Sequence, residues 1–233
     1  MKISVALAAY NGEKYIRPQL ESVLCQLGAD DEIIVSDDNP SGGTKEAVLS
    51  VGDGRIKYVE GEGKGAQKNF ENALKLTSGD IIFLCDQDDV WLPGKVEAVV
   101  KETESGASLV LHDASVTDAE LNVTQSSYFA LHKPSDSLAA NLIKNSFVGC
   151  CMAFTRPVLQ NALPFPDDVP MHDWWIALTA IKSGFKVAFI NEPYILWRRH
   201  GDNVTGGKTD LSQKLKWRES IIRSLSGSRG KDK

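Results

Sequence analysis

The chain has 233 residues, of which 42% are hydrophobic and 24% charged, a composition typical of folded globular domains. Its 31 acidic residues outnumber the 26 basic ones, and the net charge of -5 argues against a surface built to bind nucleic acid. No apolar run reaches the roughly 18 residues of a membrane-spanning helix, and the N-terminus lacks the pattern of a signal peptide, so we expect a cytoplasmic protein.

The first half of the chain alternates short apolar runs with helical patterns, which predicts parallel strands joined by crossover helices. The predicted elements are strands at 3–8, 32–36, 55–60 and 80–85, and helices at about 13–27, up to about 51, and at about 66–76. The fourth strand is almost wholly apolar, as expected of a central strand that is covered on both faces.

The second half is less regular. The predicted elements are helices at about 93–104, 174–182 and 210–225, and strands at 107–112, 186–190 and 194–197. Residues 116–134 are polar and turn-rich, which predicts a hairpin or an excursion from the sheet. Because no repeat or linker interrupts the chain, we predict one α/β domain over residues 1–206 and a C-terminal tail over 207–233.

The tail is basic, and its apolar residues keep helical spacing. Two interpretations fit this amphipathic pattern: a helix that packs on the domain, or a peripheral contact with an anionic membrane surface.

Three predicted strands are followed by polar residues, at the sheet edge where ligands of open parallel sheets bind. These segments are Ala9-Tyr10-Asn11-Gly12, Asp37-Asp38-Asn39 and Asp86-Gln87-Asp88-Asp89. So many like charges at one edge are costly unless a cation neutralises them. Asp86, Asp88 and Asp89 therefore predict a Mg²⁺ or Mn²⁺ site that binds a diphosphate, with a solvated turn that caps the next helix as the alternative.

Asp38 has the side chain needed to accept hydrogen bonds from a nucleobase or a ribose, although a simple Asx turn would also explain it. Lys64 and Lys68 lie near a predicted helix N-terminus, where a phosphate would meet cations and free N–H groups. Arg199 and His200 follow a predicted strand and are candidate phosphate or metal partners.

Asp173 stands at the start of a predicted helix, either as an N-cap or as a general base. Two tryptophans follow it, Trp174 and Trp175, which either stack on a sugar or anchor the core.

Taken in order, these motifs resemble the inverting, family 2 glycosyltransferases with the GT-A fold, over nearly the whole chain to about residue 206. The resemblance rests on Ala8-Ala9-Tyr10-Asn11-Gly12, Ile34 to Asp38, Gly79 to Trp91, Gly149-Cys150, His172-Asp173-Trp174 and Arg199 to Asn203. The run Asp86 to Trp91 and the closing Arg199-His200 are most similar to rhamnosyltransferase-like and other polysaccharide-building members.

The resemblance implies a Rossmann-like, mostly parallel central sheet flanked by helices, and a divalent metal, Mn²⁺ or Mg²⁺. It implies transfer of a sugar, with inversion, from a UDP- or dTDP-sugar to a hydroxyl of a glycan or lipid-linked acceptor. The biological setting that it implies is the synthesis of a cell-surface polysaccharide such as a capsule or O-antigen.

Residue by residue, the resemblance implies that Asp173 is the base that activates the acceptor. The implied donor contacts are Ala8, Ala9, Tyr10, Asn11, Glu13, Asp38, Lys64, Lys68, Asp86, Gln87 and Arg199. The implied metal ligands are Asp86, Asp88, Asp89 and His200, and the implied acceptor or sugar pocket is Gly149, Cys150, His172, Trp174 and Trp175. Two departures leave the donor base and sugar open: Asn39-Pro40 replaces the usual Gly-Ser, and Lys68 stands where the family often has Arg.

Two other classes fit part of the pattern. Asp86-x-Asp88-x-Val90 also matches the nucleophile loop of haloacid-dehalogenase-like phosphohydrolases, in which the first Asp is phosphorylated, but that loop normally follows the first strand. An inactive nucleotide-sugar-binding module is the second alternative, and the retention of Asp86, Asp88 and Asp173 together argues against it.

Overall fold

The structure is a computed structural model that describes residues 1–201 and 210–227. Its strands are β1 (Ile3–Ala9), β2 (Glu32–Asp37), β3 (Ile56–Glu60), β4 (Ile81–Asp86), β5 (Val90–Trp91), β6 (Leu109–Thr117), β7 (Val123–Gln125), β8 (Met152–Thr155) and β9 (Val187–Arg198). Its helices are α1 (Ile16–Leu24), α2 (Thr44–Leu49), α3 (Ala66–Leu76), α4 (Lys95–Glu104), α5 (Tyr128–His132), α6 (Leu138–Ile143), α7 (Arg156–Ala162), α8 (His172–Lys182) and α9 (Leu211–Gly227). A single 3₁₀ turn, Gly149–Cys151, precedes β8.

The described strands form one mixed sheet in the order β3-β2-β1-β4-β8-β6-β9-β5, with β7 beside β6. Strands β3, β2, β1 and β4 are parallel neighbours, as expected where helices supply the crossovers. Strand β8 is antiparallel to both β4 and β6, and β5 is antiparallel to β9. The predicted α/β sheet flanked by helices is confirmed. Parallel pairing joins the strands of the first half of the chain and, in the second half, β6 to β9.

The parallel half is buried because its strands are continuous apolar runs. All six residues of β2 and the first five of β4 are buried, which is the pattern of strands covered on both faces. Helix α3 has the bounds that its sequence predicts, and its buried face is set by Phe70, Ala73 and Leu74 at helical spacing. The core of the domain therefore lies around β1, β2 and β4, and their carboxyl ends form one edge.

The second half differs most from its prediction at β6 and β9. The two strands predicted at 186–190 and 194–197 are one strand, because pairing with β6 continues past a register shift at Asp113. Strand β6 also runs on to Thr117, although its last residues read as a polar loop. The carboxylate of Asp113 is buried and accepts hydrogen bonds from Phe129 N and Ser127 Oγ, which compensates its burial. The predicted hairpin is confirmed in the antiparallel pair of β6 and β7.

The C-terminal helix α9 packs on the domain. Ile221 and Leu225 are buried, and Arg223 forms an ion pair with Asp168. Its opposite side is open, since Ile222 is 49% exposed. Of the two interpretations of the tail, the structure therefore favours the packed helix. The predicted boundary at 206/207 and the residues after 227 lie outside the described residues. No described helix combines the length and the apolar character that a bilayer crossing requires.

Candidate functional site

The loops that follow β1 and β4 are joined at the carboxyl edge of the sheet. The Gln87 amide accepts a hydrogen bond from Tyr10 N at 2.8 Å and donates one to Tyr10 O at 2.9 Å. A Cβ on Gly12 would lie 2.2 Å from Gln87 Oε1, so any other residue would displace this amide from its contacts with Tyr10. Gln87 therefore connects two loops, a structural task beside the donor contact that the resemblance implies.

The proposed nucleotide slot lies at the ends of β1 and β2. Ala8 is partly buried, and Ala9 is buried with its carbonyl accepting hydrogen bonds from Asp38 N and Asn69 Nδ2. The Tyr10 ring is 60% exposed, so its face is accessible to a flat ligand such as a nucleobase. Two further polar residues border the slot: Asn11, whose Oδ1 accepts from Asn39 Nδ2, and exposed Glu13.

Asp38 organises the loop that leads into α3. Its carboxylate accepts hydrogen bonds from Gly63 N at 3.1 Å and Gly65 N at 2.7 Å. The Asx-type bond of this segment belongs instead to its neighbour, since Asp37 Oδ1 accepts from Asn39 N. The simple Asx turn therefore does not explain Asp38, whose side chain lies 9% exposed at the edge of the slot.

The two predicted phosphate-binding lysines are both engaged with carboxylates. Lys64 lies 2.6 Å from Glu62 and is 64% exposed. Lys68 lies 3.0 Å from Glu71 and 2.7 Å from Asp167. A donor phosphate would have to compete with these acids for each ammonium group.

The carboxylates that follow β4 are only partly compensated. Burial, together with the charges of Asp88 and Asp173, raises the pKa of Asp86 to about 7. Burial also raises the pKa of Asp89 well above its usual range. Asp89 Oδ1 accepts a hydrogen bond from Arg198 N, whereas Asp89 Oδ2 is buried without a hydrogen-bond partner among the described residues. Such a group indicates an open position for a cation or a donor.

The end of β9 supplies the positive side of the site. His200 Nε2 lies 2.7 Å from Asp88 Oδ2, and Arg198 Nε donates to Asp88 O at 2.6 Å. The Tyr15 ring stacks on the His200 imidazole at 5.0 Å and carries the Arg198 guanidinium 4.7 Å from its centroid. The Arg199 guanidinium, which the resemblance implies as a donor contact, lies over the Trp197 ring.

Arg198, the neighbour of the predicted Arg199, forms hydrogen bonds with the loop that contains Asp88 and Asp89. Arg198 is the last residue of β9, whereas Arg199 and His200 follow the strand. Its place at the end of a predicted strand is the signal that the sequence offers for Arg198. Tyr15 has no comparable signal, because it precedes α1 and reads as part of the helix.

These residues fit a divalent cation. Carboxylate oxygens with one imidazole are a donor set that suits Mn²⁺ or Mg²⁺. The four predicted ligands lie in two groups, Asp88 paired with His200 and Asp86 beside Asp89. One ligand atom from each of Asp86, Asp89 and the Cys150 thiol lie within 4.8 Å of one another. The unpartnered Asp89 Oδ2 points to the same requirement for positive charge.

A buried lysine lies below the carboxylates, and the sequence-based prediction missed it. Lys95, the first residue of α4, is 0% exposed. Its Nζ donates a hydrogen bond to Cys150 O at 2.8 Å and lies 4.1 Å from the centroid of the Trp91 ring. Helical spacing is the signal that was available, because Lys95 and Val99 occupy one face and Val99 is an obvious core residue.

Asp173 occupies the first turn of α8, above the Gly149–Cys151 turn. Its Oδ2 accepts from Gly149 N at 3.1 Å and its Oδ1 from Trp174 N at 2.7 Å. Burial raises the pKa of Asp173 to about 6. The neighbouring His172 ring stacks on Phe70 at 3.9 Å, and burial lowers the pKa of His172 to about 3, so this imidazole is neutral.

Three side chains of the implied acceptor pocket belong to the core instead. Trp174, Trp175 and Cys150 are 4%, 3% and 1% exposed. Both indole N–H groups donate to backbone carbonyls at 2.9 Å, so no polar group is left to explain. Seven consecutive residues of α8, from Trp174 to Ala180, are buried. The burial of both tryptophans therefore depends on where the helix packs in the domain, which helical periodicity does not predict. Gly149 and His172 remain beside Asp173.

Comparison with known proteins gives consistent matches. The sequence model of the family described as Glycosyl transferase family 2 matches residues 4–163. The UDP-Glc:alpha-D-GlcNAc-diphosphoundecaprenol beta-1,3-glucosyltransferase WfgD of Escherichia coli is 30% identical over 200 residues, which cover 83% of this chain and 77% of that protein. The dTDP-rhamnosyl transferase RfbG of Shigella flexneri is 26% identical, with 94% of this chain and 79% of that protein covered.

Solved structures give the same fold. The S. aureus TarS 1-349 complex with UDP-GlcNAc has a TM-score of 0.76 at 19% identity and covers 98% of this chain. The glucosyl-3-phosphoglycerate synthase of Mycobacterium tuberculosis, with Mn²⁺, UDP-glucose and phosphoglyceric acid, has a TM-score of 0.66 at 21% identity and covers 97% of this chain. The chain spans 66% of that TarS chain, and 66% of an uncharacterized glycosyltransferase of Nostoc that is 25% identical.

The family match covers more than half of the chain and includes the loops that follow β1, β2 and β4. It also removes the phosphohydrolase alternative, since the Asp86 motif follows the fourth strand of this sheet rather than the first. The chain belongs to glycosyltransferase family 2 and is a glycosyltransferase with the GT-A fold.

Proposed function

We propose that this glycosyltransferase is inverting and metal-dependent, and that it moves a sugar from a UDP- or dTDP-sugar to a hydroxyl of a glycan or lipid-linked acceptor in polysaccharide synthesis. The observation that carries the proposal is one sheet edge that holds both the Asp88–His200 pair and the partly buried carboxylate of Asp173. The names of the relatives support the donor and acceptor classes, since WfgD uses UDP-Glc and a diphosphoundecaprenol, and RfbG is a dTDP-rhamnosyl transferase.

On the donor side, the exposed ring of Tyr10 offers a face for the base, and Asp38 lies at the edge of the same slot. Asp86, Asp88, Asp89 and His200 would hold the metal, since Asp86 lies beside Asp89 and His200 lies 2.7 Å from Asp88. A divalent cation there supplies positive charge that stabilises a departing nucleoside diphosphate. A cation bound there would also reduce the electrostatic repulsion between the neighbouring carboxylates at this edge.

On the acceptor side, Asp173 takes the proton of the attacking hydroxyl. A partly buried carboxylate with a pKa of about 6 is ionised at neutral pH, yet it is a stronger base than an exposed aspartate. The N–H groups of Gly149 and Trp174 fix its orientation. The hydroxyl attacks the face opposite the leaving diphosphate, so a single displacement inverts the anomeric carbon.

The test is a transfer assay with Mn²⁺, a panel of UDP- and dTDP-sugars, and a prenyl-diphosphate-linked sugar as acceptor. We expect Asp173→Asn to lower kcat by about 10²- to 10⁴-fold, the usual contribution of a general base. Binding of UDP with Mn²⁺, measured by calorimetry, should stay within about threefold. Asp136→Asn, which removes an exposed carboxylate, is the matched control. Equal transfer by Asp173→Asn and the unmodified enzyme would remove Asp173 from the mechanism.

A further inference from the structure

The Gly149–Cys151 turn forms hydrogen bonds with two ionisable side chains, Lys95 and Asp173. The Lys95 ammonium donates to Cys150 O at 2.8 Å, and Gly149 N donates to Asp173 Oδ2 at 3.1 Å. The two bonds belong to adjacent residues of one short turn, so a displacement of Cys150 also displaces the N–H that orients Asp173. The turn is a direct mechanical link from α4 to the proposed base.

The buried position of the Lys95 ammonium group destabilises the fold. Lys95 is 0% exposed, and a buried charge costs several kcal/mol unless partners compensate it. A methionine of similar length would fill the same space without that cost. Its compensation comes from the Cys150 carbonyl and the Trp91 ring. A charge kept at such a cost points to a task that an apolar side chain cannot perform.

Lys95 also connects the turn to the loop that binds the donor. It follows Asp86–Asp89 by a few residues, and Trp91, which its ammonium covers, is the last residue of β5. The packing of the turn on its far side is tight, because a Cβ on Gly149 would be 3.2 Å from His172 Nε2. The turn thus has little freedom once Lys95 holds the Cys150 carbonyl.

We propose that Lys95 is a positioning residue, whose buried ammonium fixes the Gly149–Cys151 turn and thereby holds the Asp173 carboxylate in place relative to the Asp86–Asp89 loop. The proposal rests on the proposed function, in which Asp173 is the base. It predicts that Lys95 acts on the chemical step through Asp173 and has no separate effect on donor affinity.

The test is a double-mutant cycle of Lys95→Met and Asp173→Asn, measured as kcat for sugar transfer. We expect Lys95→Met alone to lower kcat by about tenfold to 100-fold, the scale of a hydrogen bond to a charged group. In the Asp173→Asn background the same substitution should lower kcat by less than about twofold, because the group it positions is already gone. The KM for the donor and the UDP and Mn²⁺ affinities should change by less than about threefold.

Two comparisons separate positioning from packing. Lys101→Met removes an exposed lysine from the same helix and should leave kcat unchanged. Lys95→Arg keeps a cation with N–H donors and should retain more activity than Lys95→Met, although methionine matches the volume of lysine better. If thermal unfolding shows that Lys95→Met does not fold, Lys95→Gln, which keeps an N–H donor at shorter reach, takes its place in the cycle.

Each outcome has one meaning. Equal losses from Lys95→Met in both backgrounds, or a loss of donor affinity as large as the loss of kcat, overturn the positioning role and leave Asp173 as the base. Higher activity for Lys95→Met than for Lys95→Arg overturns it as well. Full transfer by Asp173→Asn alone overturns the proposed function itself, so the two failures are distinguishable.

Discussion

The two ends of the parallel strands hold buried carboxylates in opposite electrostatic states. At the amino end, Glu32 is 2% exposed and accepts hydrogen bonds from Ser4, Ser78 and Lys57 at 2.6–2.7 Å. Burial alone would raise the pKa of Glu32, but these hydrogen-bond partners lower it to about 2. At the carboxyl end, burial and neighbouring acids raise the pKa of Asp86 to about 7.

Desolvation does not explain this difference, since it acts to raise the pKa of both carboxylates. The number of partners does, because Glu32 has a donor for each oxygen while the acids after β4 face one another. One edge is arranged for stability, and the other keeps carboxylate oxygens available for a ligand. Active sites commonly hold such locally unfavourable charge, which bound substrate or metal relieves.

The largest expected effect comes from removing a carboxylate at the ligand-binding edge. Asp88→Asn should lower kcat by about 10³-fold, because a metal-based stabilisation of several kcal/mol is lost. Binding of UDP that depends on Mn²⁺ should disappear in calorimetry, while the free energy of unfolding without metal changes little. A stable protein that still binds UDP with Mn²⁺ would show that Asp88 is not a metal ligand.

The matched substitution at the amino edge should lower stability and leave kcat nearly unchanged. Glu32→Gln leaves Lys57 without its ionic partner inside the fold and should lower the free energy of unfolding by about 2 kcal/mol, measured in urea. The kcat should stay within about twofold, since no step of the reaction takes place at that edge. A kcat loss comparable to that of Asp88→Asn would break the comparison between the two edges.

Local sequence was sufficient to predict that an acidic cluster lies at the carboxyl edge of the sheet. Asp86 to Asp89 could be found because an apolar strand precedes them and parallel strands end at one edge. Helix α3 was also predicted with its observed bounds, since its apolar residues recur at helical spacing.

The contacts that depend on tertiary packing could not be predicted in the same way. Lys95, Arg198 and Tyr15 acquire their roles only when α4, β9 and the segment before α1 meet. Asp113 reads as a loop residue because two of its hydrogen-bond donors come from residues 14 and 16 positions later. Its burial depends on a partner that no local pattern contains.

The dependence of stability on pH should also divide between the two edges. The pKa of Glu32 is lowered in the fold, so its contribution is present above about pH 4.5 and is lost as the pH falls toward 2. The pKa values of Asp86 and Asp173 are raised, so their contribution is present below about pH 4 and is lost as the pH rises through about 6 to 7.

Without metal, we therefore expect the free energy of unfolding to fall by on the order of 1 kcal/mol between pH 5 and pH 8, and to fall again below pH 4.5. Urea titrations with EDTA across this range measure both limbs. Asp86→Asn should flatten the limb above pH 5, and Glu32→Gln the limb below pH 4.5. If Asp86→Asn flattened the limb below pH 4.5 and Glu32→Gln the limb above pH 5, hydrogen-bond partners would not explain the difference between the two carboxylates.

The smallest effect sharpens the comparison most, because it reverses the usual sign of a core substitution. Asp89→Asn keeps the oxygen that accepts from Arg198 N and replaces the unpartnered oxygen with an amide donor near Asp86. It should raise the free energy of unfolding at pH 7.5 in EDTA by about 1 kcal/mol, since an amide cannot ionise in this buried position beside Asp86. Added Mn²⁺ should cancel this advantage, because only the unmodified enzyme offers the carboxylate to the ion. Asp136→Asn, at an exposed site, should change neither value. If Asp89→Asn instead destabilises the metal-free protein, Asp89 has a stabilising partner and the carboxyl edge is less strained than its geometry indicates.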